Sequence, residues 1–590
     1  MSAPSSTTAH GTNESSDLWI LGVLLAVVGA GFALWLGAQA AAIVHSHHHV
    51  VLDLQSTAAA LKGLPSVKGD PRLAFEEPVR SQLPGPILFW TCVALAFIAC
   101  AVVVAFVVRL FQPNRTPLDR RSRLGVATEA RLATARDLAA LLVPRPMSGR
   151  FVLGRFHRHL LATENPTRRR RRRRRRGDIG SVALIGPSRS GKTRCAENGI
   201  RHWGLPAILS SVKTDLLAAT LEERQCLGDV KVFDPTGVTG MPSAHWTPLR
   251  GAASLQGAAA TAKALVDSAP RGERGGDSHW LKQAEILLTS LLWLAANTEK
   301  CTITAVVDWV LGLDRPTETS SGTVAPLLRA HIDGDDPALA AAATRVHRWM
   351  KGLWDLDPRT SSSIYATART AIWPWADPDV AAVSEDCDID LEWLLTGTNT
   401  LYLATPLADQ DRLAPVLGGL ISDLVNQAFD RTSRQRARLD PTLLLVLDEA
   451  ANTPLRKLPE WASTVAGIGI QLVTVWQSKS QLEAIYGAHA DTILTNHLTK
   501  LFFTGMSDTA GLDYVGRLSG QEHVPGYLGA DHVDSRDRVQ PTEVPLLAPN
   551  VVRQMRPGDA LLVHGTLPPA HVRPARQHAR TSKPHPRSWF

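Results

Sequence analysis

Residues Ser181 to Arg194 read SVALIGPSRSGKTR, and this stretch decides the fold. A short aliphatic and β-branched run containing Ile179, Val182, Leu184 and Ile185 enters a glycine-bounded loop, Gly186, Pro187, Ser188, Arg189, Ser190, Gly191, Lys192 and Thr193, with Arg194 following. The spacing is that of a phosphate-binding loop between a strand and a helix. The glycines let backbone N–H groups close around a phosphate at a helix N-terminus, where unpaired donors and the helix dipole both favour an anion. Lys192 is placed to reach the β- and γ-phosphates and Thr193 to offer its hydroxyl to Mg²⁺.

A second stretch fits the first. Thr442 to Ala450, TLLLVLDEA, is an apolar run of strand length that ends in two acids. Such a run suits a strand buried on both faces of a parallel sheet, and carboxylates at its C-terminal end fall where open α/β sheets bind ligands. Asp448 then belongs to the Mg²⁺ shell, and Glu449 orients or deprotonates the attacking water.

Around these two stretches the pattern alternates. Strand-like runs are expected at Ala207–Ser210, Val230–Phe233, Thr400–Ala404, Leu443–Leu447, Leu472–Val475, Lys500–Phe503 and Ala560–Val563, with a helix over Leu216–Arg224. The stretch between the third and fourth runs reads as helices. Its Trp280, Ala284, Leu287, Leu288, Leu291 and Leu294 recur at helical spacing and are expected to face a core. An all-helical insertion within an α/β domain is the simplest account.

The N-terminal region reads differently. Leu18 to Val44 carries no charged residue and spans ~40 Å as a helix, and Ile87 to Val108 spans ~33 Å, so each can cross a hydrocarbon core of ~30 Å. Arg109, Arg115, Arg120, Arg121 and Arg123 crowd the exit of the second span, which places both termini inside. Nine consecutive arginines, Arg168 to Arg176, follow in the connector. Such a run cannot fold alone, and it reads either as a contact for lipid or nucleic-acid phosphates or as low-complexity drift.

The 590 residues carry a formal charge of +8, which suggests an anionic partner. Six scattered cysteines without a C-x-x-C pair support neither a disulfide framework nor a zinc site. The boundaries read as a cytoplasmic tail over 1–17, spans at 18–44 and 87–108 around an extracytoplasmic loop at 45–86, and a basic, helix-prone connector over 109–178. A nucleotide-binding domain in two parts, 179–251 and 386–570, encloses the insertion at 252–385, and 571–590 reads as a disordered basic tail.

In this order the motifs resemble the type IV coupling proteins of the TraG and TraD kind, membrane-anchored ATPases of conjugative DNA transfer. The resemblance covers about residues 15 to 570. It is carried by GPSRSGKT at 186–193, VKTDLLAAT at 212–220 with KVFDP at 231–235, and HWLKQAEILL at 279–288. LVLDEAANTP at 445–454, VTVWQSKSQLEAIYG at 473–487 and TNHLTKLFF at 495–503 complete it. It implies an α/β fold, a RecA-like P-loop NTPase domain with an all-α insertion domain, preceded by two transmembrane helices. It also implies ATP and Mg²⁺ as cofactors, and Gln477 as the polar residue that senses the γ-phosphate.

The partners so implied are single-stranded DNA with a relaxase, type IV secretion channel proteins, membrane lipid and a homohexamer in the inner membrane, the ATPase domain being cytoplasmic. The chain departs from the family pattern at Ser211-Val-Lys213-Thr-Asp215, and at Val465-Ala466 before Gly467-Ile-Gly-Ile470, where an arginine is often found. Arg456 and Arg517 are the expected replacements, Arg456 first. Two other readings stay open: a double-stranded DNA translocase of the FtsK kind, and a docking receptor that binds ATP and recruits secreted proteins without moving DNA.

Overall fold

The computed structural model describes residues 14–47, 54–64, 67, 69–111, 122–124, 126–127, 129–164, 169–170, 173–174, 179–211, 214–270, 278–317, 320–452, 455–525 and 541–575. The chain divides into two compact units, Met1–Arg121 and Ser122–Phe590.

The second unit is built on a nine-stranded sheet. Its strands are β1 (Val182–Ile185), β2 (Ala207–Ser211), β3 (Val230–Phe233), β4 (Thr400–Ala404), β5 (Leu443–Leu447), β6 (Ile470–Trp476), β7 (Thr499–Phe503), β8 (Ala560–His564) and β9 (Ala570–Val572), in the spatial order β3-β4-β2-β5-β6-β1-β7-β8-β9. The first seven in that order run parallel, while β8 pairs antiparallel with β7 and β9 antiparallel with β8. Every residue of β1, β5 and β6 is buried, as continuous apolar strands covered on both faces require. The strand after β5 in space, β6, lies between it and β1. In the register Ile185 sits beside Trp476 and Phe502, and Leu447 beside Thr474 and Ser210. The C-terminal ends therefore emerge along one edge, and with them Gly186, Asp448 and Gln477.

Helix α1 (Lys192–Arg201) follows β1, and α2 (Thr214–Gln225) follows β2. Between β3 and β4 the described residues hold helices and no strand, among them α3 (Leu255–Ser268) and α4 (Ser278–Asn297). Ala284, Leu287, Leu288, Leu291 and Leu294 on α4 are buried and Trp280 is half-buried, so the periodic stripe faces a core that also holds Trp246, Trp293 and Trp375.

Two sequence expectations change here. The connector expected to be helix-prone instead carries a small antiparallel sheet of Leu142–Val143, Val152–Phe156 and His159–Ala162. The first residues of the tail expected over 571–590 are ordered: β9 reaches Val572, and Arg573 bridges Arg155 through reciprocal backbone bonds of 2.8 and 2.9 Å. The rest of the tail, 576–590, and most of the arginine run lie outside the described residues.

In the first unit, helices Glu14–Ser46 and Pro86–Phe111 pack on one another with short helical segments between them. A Cβ on Gly37 would stand 2.5 Å from the Val93 Cα, so glycine permits this close approach. Leu34, Ala38, Phe75, Leu83 and Phe89 are buried around it. Among the described residues one helix is long and apolar enough to cross a membrane, at Pro86–Val104, with mean hydropathy 2.8. The other expected span, 18–44, lies within Glu14–Ser46, whose N-terminal side chains are outside the described set, so two spans are not established.

Candidate functional site

The loop after β1 is shaped by what its glycines allow. The Gly186 N–H donates to the Trp476 carbonyl at 3.1 Å, and a Cβ there would lie 2.8 Å from the Phe503 Cβ. Gly191 takes φ +105° at the N-cap of α1, where a Cβ would meet the Gly558 Cα at 2.9 Å. No side chain caps this helix end, so its first-turn N–H groups remain donors aimed beyond the helix. The Ser190 hydroxyl is buried and has no hydrogen-bond partner among the described residues, a polar group within the loop that the fold itself leaves unsatisfied.

Lys192 is buried and folds back over its own loop, its Nζ donating to the Gly186 carbonyl at 2.5 Å and the Pro187 carbonyl at 2.8 Å. Burial pushes its ammonium below the usual lysine range, and the negative charges of Asp448 and Glu449 act against that shift.

The two acids stand at the end of β5. The Asp448 N–H donates to the Ser210 carbonyl at 2.9 Å, and the Ser211 hydroxyl donates to Asp448 Oδ2 at 3.2 Å. Glu449 has φ +52°, a left-handed conformation that is uncommon for a residue with a side chain. Asn452 Nδ2 donates to Glu449 Oε2 at 2.9 Å. Past β6, the exposed Gln477 is set by a bond from its N–H to Gln481 Oε1 of 3.0 Å, within the cap of the next helix, where Ser478 accepts from the Gln481 N–H.

One cavity of 520 Å³ unites these groups. Ser188, Arg189, Gly191, Lys192, Thr193 and Arg194 line it together with Asp448, Glu449 and Gln477. Gly186, Pro187 and Ser190 complete the loop without lining the cavity. Arg456 is half-exposed, with Nη1 3.8 Å from Asp267 Oδ1 on α3, and Arg517 is exposed at the end of helix Thr509–Ser519; neither lines the cavity. Lys213 lies outside the described residues.

The wall away from the acids was not anticipated. It is made by Val152–Gly154 of the hairpin, Pro557–Gly558, and Val572–Ala575 at the end of β9. The Cys195 thiol donates to the Leu153 carbonyl at 3.3 Å beneath it, and burial pushes that thiol up to about 12. The signal was present as two aliphatic runs separated by two residues, but the turn is His157-Arg158, with His157 at φ +52°, rather than a glycine pair. Gly154 is essential to the wall, since at φ +148° its Cβ would stand 2.5 Å from Val572 Cγ1 and 2.6 Å from the Arg573 carbonyl. Gly154→Val is expected to destabilise the second unit by about 1–3 kcal/mol through overpacking against backbone, read as a lowered Tm; an unchanged Tm would contradict the close approach.

Among curated proteins none matches the sequence. The unbound monoclinic form of the bacterial conjugative coupling protein TrwBdeltaN70 shares 13% identity with a TM-score of 0.56, over 77% of this chain and 94% of that one. The plasmid coupling protein TrwB in complex with ADP and Mg²⁺ shares 14% identity with a TM-score of 0.54, over 77% and 96%. TrwB with the ATP analogue ADPNP shares 15% with a TM-score of 0.54, over 79% and 97%. These likenesses establish a common fold, an α/β core with a mixed sheet. The family described as Type IV secretory system Conjugative DNA transfer matches residues 154–585, from the hairpin that walls the cavity to beyond β9, and the chain belongs to that family.

Proposed function

We infer that this protein is a membrane-anchored ATPase coupling protein that receives a relaxase-bound single strand and drives it into a type IV secretion channel. The observation that carries this reading is the meeting of Lys192, Thr193, Asp448, Glu449 and Gln477 in one cavity on the sheet of a conjugative DNA transfer protein. The unpartnered Ser190 hydroxyl and the uncapped start of α1 fit a polyphosphate, and TrwB, with the same fold, has been captured with ADP and Mg²⁺.

In this reading the loop N–H groups and Lys192 hold the phosphates of ATP. The Thr193 hydroxyl and the Asp448 carboxylate hold Mg²⁺, which when bound neutralises charge on the β- and γ-phosphate oxygens. Ser211, bonded to Asp448, keeps that carboxylate directed into the cavity. Glu449 orients water and Gln477 senses the γ-phosphate. The helical insertion at 252–385 and the two-part motor at 179–251 and 386–570 keep their expected roles. The working assembly is a homohexamer in the inner membrane, with both termini and the motor in the cytoplasm and the arginine run under the lipid. Arg456, outside its own subunit's cavity, is available to a neighbour.

Binding of single-stranded oligonucleotides tests the DNA half of this reading. Affinity is expected to be indifferent to base sequence and to fall about 50-fold between 50 and 200 mM salt if four phosphates are contacted. Deleting Arg168–Arg176 should flatten the log–log slope for whichever partner the run touches, DNA or anionic lipid, and an unchanged slope for both would mark the run as low-complexity drift. A preference for one sequence, or an affinity independent of salt, would contradict a motor that tracks phosphates.

A further inference from the structure

Glu449 occupies a backbone conformation, φ +52°, that costs a side-chain-bearing residue on the order of 1 kcal/mol or more and persists only where surrounding groups hold it. Asn452 grips it at two points. Its backbone N–H donates to the Glu449 carbonyl at 2.9 Å, closing the turn, and its Nδ2 donates to Glu449 Oε2 at 2.9 Å. Among the described residues no other donor stands within hydrogen-bond distance of that carboxylate. The neighbouring charged groups are engaged elsewhere: Lys192 Nζ by the Gly186 and Pro187 carbonyls, and Asp448 Oδ2 by the Ser211 hydroxyl.

We propose that Asn452 is a positioning residue for ATP hydrolysis: it fixes Glu449 by Oε2 and leaves Oε1 turned to the cavity to accept a proton from the attacking water. The assignment rests on the reading of Glu449 as the group that orients water. It follows from the geometry because a carboxylate on a left-handed residue, free to rotate about its side-chain bonds, would spend most of its time away from the single orientation that the water requires. An amide donor is suited to the task. It restrains one oxygen without adding charge beside Asp448 and Lys192, which a lysine or a second acid would disturb.

The test uses the full-length protein in detergent and compares Asn452→Ala, Asn452→Asp and Glu449→Gln for kcat, for the KM of ATP and for Tm. Removing the donor in Asn452→Ala should lower kcat about tenfold, with KM and Tm unchanged, in the range seen when a partner that orients a functional ligand is removed. Asn452→Asp keeps the shape but loses the donor and sets a like charge against Oε2, so kcat should fall about a hundredfold. The order separates positioning from packing: a residue that only fills space would leave the isosteric aspartate nearest to wild type. Wild-type kcat in both Asn452 variants, a smaller loss in Asn452→Asp than in Asn452→Ala, or a rise in turnover on removing the amide would overturn the proposal. Wild-type turnover in Glu449→Gln would instead remove the reading on which it rests, whereas loss in Glu449→Gln with both Asn452 variants intact would overturn Asn452 alone.

Discussion

Lys192→Ala is expected to weaken ATP binding about ten- to a hundredfold and to abolish DNA transfer. The ammonium is buried at the mouth of the loop and is held by two carbonyls that it can exchange for phosphate oxygens. Hydrogen bonds between a charged donor and an anion contribute about 1.5–3 kcal/mol each, so the loss of this group alone accounts for the drop. Alanine also leaves the Gly186 and Pro187 carbonyls without the ammonium that donates to them. Titration with a fluorescent ATP analogue measures the effect, and wild-type affinity in the mutant would remove the loop from the nucleotide site.

Glu449→Gln should separate binding from chemistry. Glutamine preserves the shape and can still meet Asn452, but it cannot accept a proton from water, and general base catalysis is worth about two to four decades in rate. ATP should bind as in the wild type while turnover falls by that factor, so that the protein stalls with nucleotide bound. A mutant that binds and turns over normally would show that another group activates the water. Equal loss of binding and turnover would show that Glu449 serves the architecture of the loop instead.

Much of the central sheet could be read from its residues because buried parallel strands are continuous apolar runs. β3, β4 and β5 begin and end where the aliphatic runs do. β6 reaches beyond its expected run to Ile470, Gln471 and Trp476, and its Gln471 and Thr474 are polar yet buried. Gln471 Nε2 donates to the Gly180 carbonyl at 2.6 Å, and Thr474 Oγ1 meets His497 Nε2 at 3.0 Å, partners that no local pattern reveals. The hairpin at 152–162 and the strand at 570–572 went unread for a related reason. Each is short, and each is held by the other through Arg155 and Arg573, across more than 400 positions in the sequence.

At the site, loop and strand motifs fix their own geometry, and Lys192, Thr193, Asp448, Glu449 and Gln477 line one cavity, whereas Gly186, Pro187 and Ser190 of the same loop do not. The motifs did not predict Asn452, whose contact with Glu449 depends on a left-handed backbone at φ +52°. The far wall needed the tertiary fold for the same reason.

Whether this cavity hydrolyses ATP to move a single strand is decided by steady-state turnover of one preparation of the full-length protein without DNA, with single-stranded DNA and with duplex. Hydrolysis is expected to depend on Lys192 and Glu449 and to rise most with the single strand. Greater stimulation by duplex, or ATP binding with no hydrolysis under any of the three conditions, would contradict that role.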